Sequence, residues 1–339
     1  MEAARADAIA HAVRYDRQSE TREVCDNRGP WSIILAGGEG ERIKPFVLRW
    51  LKRARPKQYC TFVGSRSMLQ HTLCRADLVS ARDRQILVID RSHLIDAKPQ
   101  FGPRPERNII LQPANRDTAA GVYLPLTYVR HWDPEGTVVV CPSDHFIYPG
   151  EVFAEVVAEA VRAAEELDRL VLLGVVPDRS EPDYGWILPG GNTDCGNGRS
   201  VSRVRAFLEK PGPAEASAAM ACGGRWNTLV FAVKVRTLWD MGVRCFPKMM
   251  RLFDRLGGAI DTPREASVLE RIYRVMPVYN LSSCLLAAAV GQLAAVELRG
   301  VIWSDWGRPE RIADTLRLMD KSPAFPWACL ESGFQHQSS

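Results

Sequence analysis

The stretch that decides the fold of this chain is residues 31–45, WSIILAGGEGERIKP, where an apolar run leads into a loop that holds three glycines. The run at 32–36 has the length of a buried strand, and the two adjacent glycines predict that the strand ends there. Glycines after a strand let backbone N–H groups approach phosphate oxygens, and Arg42 adds a permanent charge that can donate two hydrogen bonds to a phosphate. Because the pattern is neither a Walker loop nor GxGxxG, an ordinary structural turn explains it about as well as a phosphate site does.

Helix and strand patterns alternate on the C-terminal side of this loop. Ser67 is in place to cap the first of the predicted helices. The predicted helices are residues 68–79, 117–132 and 151–167, and the predicted strands are residues 86–89, 108–111, 137–141 and 170–176. Alternation of this kind favours right-handed βαβ units, so the sequence predicts an α/β protein with a largely parallel sheet.

After about residue 177 strands predominate and less helix lies between them. The run 190–198, rich in glycine and asparagine, predicts a hairpin loop. The predicted strands are residues 186–188, 201–208, 228–235 and 294–298, and the predicted helices are residues 236–242, 247–256, 264–275, 281–293 and 309–319. The simplest organisation is an N-terminal extension over residues 1–29, one domain over residues 30–322 and a C-terminal tail over residues 323–339.

Composition excludes several classes of function. The 339 residues carry 44 Lys and Arg against 40 Asp and Glu, and a net charge of +4 is too balanced for a protein that binds nucleic acid over its whole surface. Nine cysteines without a CxxC pair suit neither a disulfide framework nor a zinc site and favour a reducing compartment. Neither a signal peptide nor a membrane-spanning run is visible, so we expect a cytoplasmic protein with no membrane partner.

The basic run RWLKRAR at residues 49–55 leaves two interpretations open. Apolar residues interleave with the charges, which is compatible with binding to nucleic acid or to a membrane surface. We favour a solvated loop or helix that attracts an anionic substrate, and we therefore expect no nucleic-acid partner.

A second segment, PKQ at residues 56–58, follows the glycine loop. Together the two segments resemble the LAGGxGxR…PKQ signature of sugar-1-phosphate nucleotidyltransferases. Six further segments match patterns of that family in chain order: QPANRDTA at 112–119, PSDH at 142–145, YGWI at 184–187, FLEKP at 207–211, WNT at 226–228 and WSDWG at 303–307. The first two of these six resemble the mannose-1-phosphate guanylyltransferase branch, and the matches as a set run from about residue 31 to residue 319.

The resemblance implies a Rossmann-like three-layer α/β/α fold of the GT-A type, with a mostly parallel mixed central sheet. It also implies an enzyme that forms GDP-mannose from GTP and mannose 1-phosphate, releases pyrophosphate and uses Mg²⁺. The attacking phosphate oxygen is already anionic near neutral pH, so this chemistry needs no general base. The alternatives are the same chemistry with another nucleoside triphosphate or sugar 1-phosphate, and a non-catalytic regulatory protein that binds a nucleotide sugar.

The positions that match the family's motifs carry its residue roles by resemblance. Nucleotide binding is implied for Leu35, Ala36, Gly37, Gly38, Gly40, Arg42, Gln112, Asn115, Arg116 and Thr118. Sugar-phosphate binding is implied for Tyr184, Gly185, Glu209, Lys210 and Asn227, metal binding for Asp144 and Asp305, and catalysis for Arg42, Lys57 and Asp144. Asp144 also follows a predicted parallel strand, where ligands bind in open α/β sheets.

Three stretches depart from the family pattern. Residues 46–55 lengthen the segment before PKQ, Leu229 stands where a glycine is usual, and residues 279–286 lack the usual acidic residues. Leucine at position 229 can crowd the sugar pocket, so these departures bear on which sugar is accepted. Residues 1–29 lie outside the matched region, and two interpretations are open for them: a contact within a homo-oligomer, or a flexible extension.

Overall fold

The structure is a computed structural model that describes residues 29–193 and 201–331. The strands of this part of the chain are β1 Trp31–Leu35, β2 Gln85–Asp90, β3 Ile109–Gln112, β4 Thr137–Pro142, β5 Phe146–Tyr148, β6 Leu170–Val175, β7 Gly185–Thr193, β8 Val201–Glu209, β9 Arg225–Lys234, β10 Leu293–Glu297 and β11 Ile302–Ser304. The helices are α1 Lys44–Leu51, α2 Met68–Asp77, α3 Leu94–Ala97, α4 Asp117–Trp132, α5 Gly150–Leu167, α6 Pro213–Ala221, α7 Val235–Cys245, α8 Pro247–Gly257, α9 Glu265–Arg274, α10 Pro309–Leu318 and α11 Ala328–Glu331.

One large sheet organises the fold. Its nine strands follow the order β3-β2-β1-β4-β9-β6-β10-β8-β7, and β5 pairs with β11 in a separate small sheet. In the large sheet β8 and β9 run antiparallel to all the other strands. The prediction of a mostly parallel mixed sheet is therefore confirmed.

Side chains of the central strands alternate between two hydrophobic cores. In β4, Val138 and Val140 face a core shared with α4, α7, α8 and α9, whereas Val139 and Cys141 face a core shared with α5. Because helices cover both faces of the sheet, β4 reads in the sequence as an unbroken apolar run. The predicted three-layer α/β/α arrangement is confirmed.

Most predicted elements have the expected bounds. The helix predicted over residues 117–132 is α4 itself, and Ser67 caps α2 through a reciprocal pair of hydrogen bonds with Gln70. The helix predicted over residues 281–293 is wrong, because the chain forms a π-helical turn at Ser282–Leu286 and a 3-10 turn at Val290–Gln292. Gly291 weakens helical structure at that point, and Leu293 already belongs to β10.

The glycine-rich run at residues 190–198 begins as strand, not as the predicted loop. Its first residues continue β7, whose pairing with β8 shifts register at Pro189 and again before Asn192. These irregularities accommodate the glycines within the ladder. Residues 194–198 of the predicted loop lie outside the described residues, as does nearly all of the predicted N-terminal extension.

Two elements whose bounds were not predicted from the sequence shape the site. Helix α1 occupies most of the segment 46–55 and buries Phe46 and Val47 in a third core with Trp306 and Phe325. The small sheet pairs Ile147 of β5 with Trp303 of β11. Because β5 follows the PSDH segment and β11 precedes the aspartate of WSDWG, this pairing draws the two acidic segments together.

The remaining expectations concern surfaces and termini. In the basic run 49–55, Arg53 and Arg55 both form ion pairs with Asp96, at 3.0 and 2.9 Å. Pro323 bridges to Val63 in an antiparallel pairing, so the start of the predicted C-terminal tail contacts the domain. Across residues 29–193 and 201–331, no helix combines the length and the apolar character needed to cross a membrane. The seven cysteines within these ranges are free thiols.

Candidate active site

The glycine loop after β1 is held in shape by the PKQ segment. The Gln58 amide donates to the carbonyl oxygens of Ala36 and Gly38 at 2.9 and 2.8 Å, and the Tyr59 hydroxyl donates to Ala36 at 2.7 Å. These contacts fix the backbone of the loop while leaving Gly38 exposed. The loop is therefore an ordered edge at the carboxyl end of β1, where the sheet leaves room for a ligand.

Two glycines of this loop are required by close approach. A Cβ atom on Gly37 would lie 2.6 Å from the side-chain nitrogen of Gln112, which no side chain tolerates without a shift. Gly40 has a φ of +65°, and a Cβ there would lie 3.1 Å from the Cβ of Lys57. The loop thus packs directly on Gln112 and Lys57, two of the residues that the sequence singles out.

Lys57 is buried between the two acidic segments. Only 4% of its side chain is exposed, and its ammonium lies 2.8 Å from Oδ2 of Asp144 and 2.5 Å from the main-chain oxygen of Asp305. Burial by itself would favour the neutral form of Asp144, but the Lys57 ammonium holds the pKa of that carboxyl below its usual range. A buried ion pair at the end of the glycine loop is an arrangement that can neutralise phosphate charge.

His145 lies beside this pair without a catalytic partner. Its Nε2 is 3.8 Å from Oδ1 of Asp144, and its ring packs edge-on against Trp303. Burial lowers the pKa of His145, so the imidazole is neutral near pH 7.

Asp305 is bound on nearly every side. Its carboxylate accepts hydrogen bonds from Arg311, from the Tyr184 hydroxyl at 2.9 Å, from the Gly307 N–H at 3.0 Å and from Arg42 at 3.0 Å. Burial alone would raise the pKa of Asp305, but Arg311 and Lys57 hold it far below the usual range. Asp305 is therefore an ionised carboxylate whose orientation is fixed.

Four charged residues around Asp305 were not singled out by sequence reasoning. Asp183 accepts from Arg308 at 2.5 Å, from Arg311 at 3.2 Å and from Arg42 at 3.4 Å, and Arg311 also pairs with Glu181 at 2.9 Å. A signal was present in the sequence, because these residues closely precede YGWI or closely follow WSDWG. Their role is visible only once the two motifs meet in space.

The base-binding segment joins the site through one residue. Gln112 ends β3 and contacts the glycine loop, as described above. The other predicted base-binding side chains have partners away from that loop: Arg116 donates to the main-chain oxygen of Tyr273 at 2.9 Å, and Thr118 accepts from the N–H of Leu281 at 2.8 Å. Asn115 accepts from the N–H of Asp117 at 2.8 Å. The structure thus brings Gln112 to the loop and leaves Arg116 turned toward α9.

The predicted sugar-binding residues lie together around Gly185. Gly185 pairs with Glu209 across β7 and β8, and a Cβ on Gly185 would lie 3.0 Å from Oε2 of Glu209 and 3.3 Å from the Cβ of Asn227. Burial raises the pKa of Glu209, and Lys210, 3.9 Å away, only partly offsets this. The Tyr184 hydroxyl connects this cluster to Asp305.

Leu229, the departure noted in the sequence, lies within β9 next to this cluster, where the pairing of β9 with β6 shifts register. Its φ is +56°, in the left-handed region that glycine adopts without strain. Asn227 stabilises this irregular stretch by accepting a hydrogen bond from the N–H of Leu229 at 3.2 Å. The backbone therefore has a conformation that favours glycine while it carries a leucine side chain.

The donors present suit a hard divalent cation. Oδ1 of Asp144 accepts no hydrogen bond from the described residues, and 38% of that side chain is exposed. Oδ2 of Asp305 accepts from Arg311 and from Arg42, and half of the Arg42 side chain is exposed. Magnesium is commonly held by one or two carboxylates together with phosphates and waters. Asp144 and Asp305 are the two carboxylates that would hold such a cation, and no group of three or more His, Cys, Asp and Glu side chains within the described ranges is arranged as a metal site.

Comparisons with known proteins show which proteins this chain resembles. Mannose-1-phosphate guanylyltransferase ManC of Salmonella typhimurium is 33% identical over 206 residues, which cover 59% of this chain and 42% of that protein. Mannose-1-phosphate guanylyltransferase of Escherichia coli K12 is 30% identical over 236 residues, which cover 68% of this chain and 48% of that protein. The chain therefore spans less than half the length of these curated relatives.

Solved structures agree on the fold. A Thermus thermophilus protein described as a mannose-1-phosphate geranyltransferase superposes with a TM-score of 0.72 at 26% identity, over 86% of this chain and 79% of that one. Residues 31–321 match the sequence profile of the family described as Nucleotidyl transferase. The chain belongs to the nucleotidyl transferase family, and its resemblance to the sugar-1-phosphate nucleotidyltransferases within that family is confirmed.

Proposed function

We propose that this chain transfers the guanylyl group of GTP to mannose 1-phosphate, which gives GDP-mannose and pyrophosphate, with Mg²⁺ as the cofactor. The observation that carries the proposal is the buried Lys57 ammonium, joined to Asp144 and to the backbone at Asp305 beside the glycine loop. The mannose and guanine identities rest on the QPANRDTA and PSDH segments and on the names of the relatives.

The residues present account for the reaction by positioning and by charge. The loop amides and Arg42 would hold the triphosphate, and Lys57 would offset charge that builds up on it. A phosphate oxygen of mannose 1-phosphate attacks the α-phosphorus of GTP, the bond from that phosphorus to the β-phosphate oxygen breaks, and pyrophosphate leaves. The attacking oxygen is already ionised, so the neutral His145 has no proton to remove. Mg²⁺ held by Asp144 and Asp305 would supply further neutralisation of phosphate charge.

The sugar would lie over Gly185. Glu209 pairs with Gly185 across β7 and β8, and its carboxylate would accept hydrogen bonds from sugar hydroxyls. Asn227 lies across Gly185 from it, and exposed Lys210 would contact the sugar phosphate. Leu229 follows Asn227 closely in β9 and would contribute to the choice of sugar.

A pyrophosphate-release assay tests the proposal. We expect the highest kcat/KM with GTP and mannose 1-phosphate among the four common triphosphates and a panel of sugar 1-phosphates, and a strict need for a divalent cation. The Asp144→Asn variant is the matched control, since it keeps the side-chain shape and removes the charge. If another pair reacts fastest, the substrates are not GTP and mannose 1-phosphate. If no pair reacts with Mg²⁺ present, the proposal that the chain is an enzyme is wrong.

A non-catalytic nucleotide-sugar-binding protein is the second candidate. The strained leucine at position 229 and the full engagement of Asp305 by protein groups favour it. It predicts that GDP-mannose raises Tm in a thermal-shift assay while all substrate pairs stay unreacted.

Location, assembly and other partners remain part of the proposal. We propose the cytoplasm, where GTP is available. We propose no nucleic-acid partner, because Arg53 and Arg55 of the basic run form ion pairs with Asp96. A homo-oligomer that uses residues 1–29 stays a prediction, which light scattering of the whole chain and of a chain without those residues tests.

A further inference from the structure

We infer that Arg311 is a positioning residue of this site, which fixes the Asp305 carboxylate so that one acceptor direction on Oδ2 is kept for a divalent cation. The inference rests on the proposed function, in which Asp305 is a metal ligand. It adds a residue that lies outside all of the matched sequence segments.

The contact between the two side chains is bifurcated and buried. Nη1 of Arg311 lies 2.8 Å from Oδ1 and 2.9 Å from Oδ2 of Asp305. Arg311 is 6% exposed and Asp305 is 8% exposed, so water competes little for either partner. Because Nη1 reaches both oxygens while Nη2 bonds other carboxylates, the rigid guanidinium ties the Asp305 carboxylate to a second set of partners.

Arg311 is itself held from three sides. Its Nη2 lies 2.9 Å from Oε2 of Glu181 and 3.2 Å from Oδ2 of Asp183, and its guanidinium lies 4.6 Å from the centre of the Tyr184 ring. The residue also stands in the first turn of α10, which starts at Pro309. Because the helix fixes the backbone of Arg311 and these contacts fix its guanidinium, Arg311 restricts the movement of the Asp305 carboxylate.

Counting acceptor directions shows what remains for a cation. Oδ1 of Asp305 accepts from Arg311, from the Tyr184 hydroxyl and from the Gly307 N–H, so it is fully used. Oδ2 accepts from Arg311 and from Arg42. Arg42 is half exposed, and in the proposed reaction it turns to the triphosphate. Its departure leaves one free direction on Oδ2, and Arg311 keeps the carboxylate in place meanwhile.

Charge and geometry have opposite effects on a bound cation, which makes the role testable. The positive charge of Arg311 by itself repels a cation, whereas its contact with both oxygens orients the ligand. Arg311→Lys keeps the charge but has one nitrogen in place of two, so it cannot bond Asp305 and the Glu181 and Asp183 carboxylates through a rigid planar group, and it isolates the geometric contribution. A purely structural ion pair would affect folding in this variant without a specific change in cation affinity.

The experiment measures Mn²⁺ binding to the whole chain by the electron paramagnetic resonance of free Mn²⁺, without substrates and then with GTP. We expect Arg311→Lys to raise the Mn²⁺ dissociation constant about tenfold or more, in keeping with residues that orient metal ligands. Arg317→Lys is the matched control, since Arg317 is on the same helix, is 65% exposed and forms an ion pair with exposed Asp314, and we expect no change.

Several outcomes decide the inference. An unchanged Mn²⁺ affinity in a folded Arg311→Lys variant overturns it, and so does an absence of Mn²⁺ binding to the wild type under both conditions. If Arg311→Lys does not fold, Tyr184→Phe removes one restraint on Oδ1 and should raise the constant by about twofold to tenfold; no rise then overturns the inference. If Mn²⁺ affinity falls as expected while no substrate pair reacts, the inference stands and the proposed function fails.

Discussion

Replacing Lys57 by methionine perturbs the contact on which the proposed chemistry depends. Methionine is close to lysine in length and apolar, so it fills the same buried space and removes the ammonium. The variant loses the 2.8 Å contact to Asp144 and the 2.5 Å contact to the main-chain oxygen of Asp305. Both kcat and the free energy of unfolding should fall, by amounts that depend on the surroundings of Lys57.

The rate should fall more than the stability. Loss of one preorganised charge beside the reacting phosphate should lower kcat by about 10²–10³-fold, equal to about 2.7–4 kcal/mol. Breaking a fully buried ion pair costs about 3–5 kcal/mol of folding free energy, because one charge is left without a partner. Asp144 is 38% exposed and water can hydrate it, so we expect a loss nearer to about 1–2 kcal/mol.

Two measurements check the Lys57→Met prediction. Pyrophosphate release with GTP and mannose 1-phosphate gives kcat and KM, and urea unfolding gives the free energy of unfolding. Lys248→Met, an exposed position in α8, is the control and should leave both unchanged. A kcat within about threefold of wild type in the Lys57 variant, or a rate loss matched by the unfolded fraction, would refute the reasoning.

Three further predictions follow from the same contacts. Asp144→Asn should lower kcat by about 10²-fold with little change in Tm, whereas Asp305→Asn should lower both, because it deprives buried arginine of its partner; kinetics and calorimetry compare the two. Burial raises the pKa of Glu209, so the folded protein holds this proton more tightly than the unfolded chain, and wild-type stability relative to Glu209→Gln should rise as pH falls from 8 to 5. Urea unfolding at each pH measures that difference, and a difference that shrinks as pH falls would contradict it. Gly37→Ala should raise KM for GTP more than KM for the sugar phosphate, because the new Cβ would lie 2.6 Å from Gln112; equal changes in the two KM values would count against the loop as the triphosphate site.

The sequence predicted the sheet and its strand–helix alternation well, for a physical reason. Strands such as β4 are buried on both faces and are therefore visible in the sequence as apolar runs. The bounds of α4 in the structure equal the predicted ones. The basic run 49–55 was interpreted as a solvated loop or helix, but the start of helix α1 at Lys44 was not predicted, although Pro45 in its first turn is a start signal. The turn at Ser282–Leu286 was read as helix because burial, not periodicity, places its apolar residues.

The site divides in a similar way. Lys57, Asp144 and Asp305 were found because each is in a short motif, and the motifs occur in the family's order. The burial of Lys57 could not be read from its type, since lysine is nearly always exposed. Arg311 and its partners Glu181 and Asp183 lie more than 120 residues apart in the chain, so only the folded structure brings them together.

Transfer of an oxygen label tests the central claim most directly. Mannose 1-phosphate that carries ¹⁸O in its non-bridging phosphate oxygens would be incubated with GTP, Mg²⁺ and the whole chain, and the products followed by ³¹P nuclear magnetic resonance and mass spectrometry. If the sugar phosphate attacks the α-phosphorus, all of the label stays in GDP-mannose and the pyrophosphate contains none. Label in the released pyrophosphate, or no labelled nucleotide sugar at all, would contradict nucleotidyl transfer at this site.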